Sequence, residues 1–141
     1  MATDLTGTWQ EFYGEVDGRM GPVARTSSTV ITYQGNKFSI TVFGKLEHEG
    51  TYSVNDGSSP AQITFVYTKS SRFELNKPRT GILQLVGDTV KICIGPVGAP
   101  APSNFNTTAN SNAVLTIHQR KGSEGGAQDS FTVGTVRAIL W

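Results

Sequence analysis

The chain has 141 residues, with 12 Lys and Arg against 11 Asp and Glu and a formal net charge of +1. That length sets one domain with a core that needs no disulfide or metal staple. The near-neutral balance excludes the electrostatic footprint of a nucleic-acid or anionic-membrane partner, and the single cysteine excludes an intramolecular disulfide.

The opening stretch, MATDLTGTWQ, has neither a basic n-region nor an apolar h-region. The expectation is therefore a cytoplasmic protein without a signal peptide. No apolar run approaches the roughly 18 residues that span a bilayer.

From there the apolar residues alternate instead of recurring at helical spacing. "GTWQEFYG" reads as the first strand. "STVITYQGNKF" follows, with Gly35-Asn36 as a two-residue hairpin turn into "KFSITVF". In that strand Phe38, Ile40 and Val42 share one face, and Lys37, Ser39 and Thr41 share the other. "KLEHEGTYSV" is the next strand, and "AQITFVYTK" sets Ile63, Phe65 and Tyr67 against Gln62, Thr64 and Val66. "GILQLV" turns at Gly87-Asp88 into "TVKICIG", where Val90, Ile92 and Ile94 oppose Lys91 and Cys93. "AVLTIHQR" closes the series.

Short strands joined by short turns predict an all-β antiparallel up-and-down β-barrel of about eight strands, because closure removes exposed edges. A barrel of that size is filled by side chains or holds one small ligand. The core barrel spans residues 5–121. Residues 122–130, rich in Gly, Ser and charge, read as a linker, and 131–141 as an extra C-terminal strand through which a homodimer is possible.

Order and motif together resemble a known family. "LTGTW" precedes "GNKFSI", "EGTYSV" and "GDTVKICIGPVGAPAPSNF". This is similar to the lipocalin-like small domain of planctomycete and related bacterial proteins of unknown function, over roughly residues 5 to 121. Members often carry a basic residue in the proline-rich segment, where this chain has Ala99, Pro100, Ala101 and Pro102. Gly7-Thr8-Trp9 also resembles the G-x-W of lipocalins. The resemblance implies a structural Trp9 that closes one barrel end beneath an arginine from a late strand, with Arg120 and Arg137 the candidates.

The proline-rich run after Ile94 is stiff and nearly uncharged. Its prolines lower the entropy cost of an ordered loop. Two roles fit: a wall of a pocket mouth, or a fixed crossover that caps the barrel and buries Phe105.

Candidate chemistry is sparse. By alternation His48 shares a face with Leu46, Tyr52 and Val54, and His118 shares one with Val114 and Thr116. Both would point into the barrel, while Glu47 and Glu49 would point out. No H-x-H spacing or second cysteine supports a metal site, and no cofactor motif is present. Cys93 reads as a small hydrophobe, since no local base activates it. Lys69, Arg72, Lys77 and Arg79 fall in a segment that reads as a solvated loop, or as a rim attracting an anionic ligand.

The leading functional expectation is binding of a small hydrophobic ligand in the barrel, oriented by Tyr33, His48, Tyr52, Tyr67, His118 and Phe105. One alternative is a cyclase or isomerase that templates a hydrophobic intermediate in the same cavity. The other is an inhibitor or immunity-type module that works through its surface.

Overall fold

A computed structural model describes residues 3–21, 26–107 and 111–121. The expected linker, the C-terminal strand and Arg137 lie outside the described residues.

Nine strands are described: β1 (Gly7–Val16), β2 (Arg19–Met20), β3 (Thr29–Gln34), β4 (Lys37–Val42), β5 (Lys45–Asn55), β6 (Ala61–Ser70), β7 (Pro78–Val86), β8 (Thr89–Ile94) and β9 (Val114–Arg120). Every pairing is antiparallel, and β1 also pairs with β9. The chain is therefore a closed eight-strand up-and-down barrel, with β2 outside the ring. This two-residue strand pairs Met20 and Arg19 with Glu15 and Val16. Among the described residues no helix is long and apolar enough to cross a membrane.

The turns follow the local chemistry. Gly35 and Gly87 open two-residue hairpin loops at φ 62° and 60°. The β4–β5 turn is less ordinary. Phe43 and Gly44 both have positive φ, at 53° and 77°, so the strand expected to run through Phe43 ends at Val42. Two left-handed residues in succession match the twist of the flanking strands.

Period-two alternation puts Trp9, Ile31, Phe38, Ile63, Val90 and Ile92 in one interior cluster. Bulges adjust the phase. In β1 the register with β9 shifts between Glu11 and Tyr13, so Tyr13 faces out and Gly14 faces in. In β5 the shift between Ile40 and Thr41 makes Glu47 the extra residue. Leu46 pairs with Thr41 on the outer face, so it does not share His48's face as strict alternation predicted.

The N-terminal segment closes one end. Leu5 is buried beneath it, and the Trp9 indole Nε1 donates to Leu5 O at 2.8 Å. The Arg120 guanidinium lies 4.3 Å from the Trp9 ring and donates to Thr6 O at 2.7 Å and Asp4 O at 3.2 Å. Its Nε donates to Asp88 at 3.1 Å. One arginine therefore ties the first segment, the β7–β8 turn and the indole together.

The proline-rich segment neither walls a pocket mouth nor caps a barrel end. It crosses the outer face of β7, β8 and β9. There Ala101 and Phe105 pack on Ile82, Cys93 and Leu115, and Lys91 sits 5.3 Å from the Phe105 ring. Ile82 and Leu115 are apolar on a face that would otherwise be wet, so a stiff apolar cover is what that face needs.

Cys93 is fully buried under this cover, and burial pushes its thiol up, with Glu15 adding to the shift. A thiol reagent at mildly alkaline pH is expected to modify native Cys93 on the order of tenfold or more slowly than the denatured chain. Equal rates would show that the segment does not cover this face.

Candidate functional site

Only part of the interior is filled. Trp9, Leu5, Phe38, Ile63, Leu83 and Val90 pack the closed end. Toward the other end the side chains become smaller. Gly14, Thr29 and Thr116 face inward there and leave a cavity of about 320 Å³. Its apolar wall comes from Ile31, Ile40, Val42, Phe65, Ile92 and Ile94. Gly21, Thr26 and the exposed Arg72 lie at its mouth.

Four of the six candidate ligand residues line this cavity: Tyr33, His48, Tyr67 and His118. Tyr52 does not. It meets Tyr33 edge-on at 4.7 Å, and Asp4 of the N-terminal segment acts on its hydroxyl, which places it toward the closed end. Phe105 does not line the cavity either, because its loop lies on the outer face.

The two histidines line the cavity from β5 and β9, on opposite sides of the ring, and each has its own partner. His48 Nδ1 hydrogen-bonds Ser70 Oγ at 2.7 Å. That pairing exists because a second register shift, between Glu49 and Gly50, brings Ser70 opposite His48. His118 Nε2 lies 3.5 Å from Glu11 Oε1, with the His118 side chain buried and that of Glu11 partly so. Its Nδ1 and the Tyr33 hydroxyl are buried atoms with no hydrogen-bond partner among the described residues. Burial pushes the Tyr33 hydroxyl well above its ordinary value, so it stays protonated. Among the described residues no group of three or more His, Cys, Asp or Glu could hold a metal.

Three cavity-lining residues escaped the sequence reading. Arg79, expected in a solvated loop, is buried on β7 at 4 % exposure and lines the cavity. Its Nε donates to Gly95 O at 3.1 Å, and its guanidinium lies 4.5 Å from the Phe73 ring. Phe73, from the β6–β7 loop, completes an aromatic wall with Tyr67 at 5.1 Å and His48 at 5.2 Å. Glu11 is the third. The signal was phase: Arg79 alternates with Gly81 and Leu83, and Glu11 with Trp9. Glu11 stands two residues from Trp9, whereas the inward phase of Arg79 shows only once Gly81 is paired with Ile94.

Burial lowers the Arg79 pKa from the ordinary guanidinium value. Burial raises that of Tyr67, and the neighbouring Arg79 charge opposes the rise. A cation and a phenol thus stand side by side in a mostly apolar wall.

Compared with known proteins, the chain matches no family model, no curated protein and no solved structure.

Proposed function

We propose that the barrel binds a small hydrophobic molecule in its open-ended cavity. The observation that carries this is a volume of about 320 Å³ bounded mainly by aliphatic and aromatic side chains, with a few polar groups among them. Pockets that take small molecules have this composition. At about 30 Å³ per water-sized group, the space suits a ligand of on the order of ten heavy atoms.

The test is an environment-sensitive apolar dye. Native protein is expected to enhance its emission, and Ile92→Trp, which fills the cavity from β8, is expected to abolish the enhancement while circular dichroism stays β-type. Enhancement that survives the filled cavity would move binding to the surface and favour the interaction-module alternative.

A second reading draws on the Glu11–His118 couple. Such a pair can hold or move a proton next to a templated substrate, as the cyclase or isomerase alternative requires. Glu11→Gln would then suppress turnover and leave dye binding intact.

We also propose kinship with the lipocalin-like small domain. Its support is the placement of "LTGTW" at the closed end with Arg120 over the indole.

A further inference from the structure

We propose that the cavity selects a carboxylate-bearing amphiphile of medium chain length, whose carboxylate is held by Arg79 and Tyr67 while its apolar body lies along Ile40, Val42, Phe65 and Ile92. This rests on the reading of the cavity as a ligand pocket and specifies the class of ligand.

The argument begins with the energetics of an unpaired charge. Arg79 is 4 % exposed. A buried guanidinium is ordinarily paired with a carboxylate, because desolvation without a partner is expensive. Among the described residues no carboxylate pairs with it. Its one hydrogen bond there is from Nε to Gly95 O. The fork-shaped pair of terminal nitrogens, which suits a bidentate carboxylate, has no acceptor among the described residues.

The carboxylates that line the same cavity are engaged elsewhere. Glu11 pairs with His118. Glu15 accepts from Tyr13 Oη at 2.8 Å and from the Thr107 hydroxyl. Both belong to β1, whereas Arg79 belongs to β7.

Geometry supplies the remaining parts. Phe73 lies beneath the Arg79 guanidinium at 4.5 Å and fixes its plane. Exposed Arg72 approaches the same ring at 5.7 Å, so a second cation stands beside Phe73. Tyr67 is next to both Phe73 and Arg79, and its hydroxyl is a second donor. Ile40 and Val42 on β4, with Phe65 on β6 and Ile92 on β8, supply an apolar wall that runs from the Arg79 head position round the cavity. A ligand with an anionic head and an apolar body matches this arrangement, whereas a neutral hydrocarbon leaves the guanidinium without an anion. Capacity limits the body to on the order of ten heavy atoms.

The experiment compares decanoate with decanol, its uncharged counterpart, by displacement of the apolar dye from the full chain. Wild type is expected to bind decanoate roughly tenfold or more tightly than decanol. Arg79→Gln is expected to remove that preference by weakening decanoate binding, and Arg79→Lys is expected to retain part of it. Equal affinity of the two ligands for wild type would overturn the proposal while leaving the pocket reading intact. So would a preference that survives Arg79→Gln. Binding of the dye and of both ligands failing altogether would overturn the pocket reading itself. If Arg79→Gln does not fold, the wild-type preference and its reduction in Tyr67→Phe decide the matter.

Discussion

Replacing Trp9 with alanine is expected to lower stability by about 3–5 kcal/mol, measured by urea unfolding followed with far-ultraviolet circular dichroism. The indole is completely buried and forms the floor of the closed barrel end. Its removal leaves a cavity that β-strands held in closed register cannot collapse around. It also leaves the Leu5 carbonyl without its donor and takes the aromatic face from under Arg120. The two losses act on the same segment, since Arg120 and Trp9 both hold residues 4–6 in place. A loss below about 1 kcal/mol would show that Trp9 does not close the barrel, and would remove the support for kinship with lipocalin-like domains.

Gly50→Ala is expected to destabilise by about 2–3 kcal/mol, although it adds one methyl group to a strand. Gly50 sits where β5 shifts register against β6. A Cβ there would fall 2.0 Å from the Val66 carbonyl oxygen and 3.0 Å from the Tyr67 Cα. Both atoms belong to the backbone, so no rotamer change can relieve the contact. The two strands would have to separate, and the His48–Ser70 pairing next to the shift would open with them. A urea midpoint shift equivalent to less than about 0.5 kcal/mol would mean that β5 and β6 do not approach this closely. Dye binding offers a second readout, because Tyr67 and His48 line the cavity on either side of Gly50.

The strands and their inward sets were legible because alternation is a local property. Phe38, Ile40 and Val42, or Val90, Ile92 and Ile94, declare a face without reference to any other strand. Turn positions were legible for the same reason, since Gly35 and Gly87 mark them by their own backbone freedom. Cys93 could be placed on the outer face from its neighbours alone.

Arg79 shows where that legibility stopped. It obeys the phase of β7, yet a cation among Lys69, Arg72 and Lys77 reads as solvated, and only the register with β6 and β8 brings it into the barrel. Phe73 gave no periodic signal, because it comes from a loop.

The chain's own order of residues therefore determined the eight strands of the ring, their antiparallel sequence and, away from the bulges, the face most of their apolar side chains take. The tertiary structure alone decided whether the enclosed space is full. That depends on which side chains from non-neighbouring strands reach the same level, and the level is set by register shifts at Glu11, Glu47 and Gly50. It likewise decided where the proline-rich segment lies. Stiffness is written in Pro96, Pro100 and Pro102, but the apolar surface that captures it exists only once Ile82, Cys93 and Leu115 stand side by side on three paired strands.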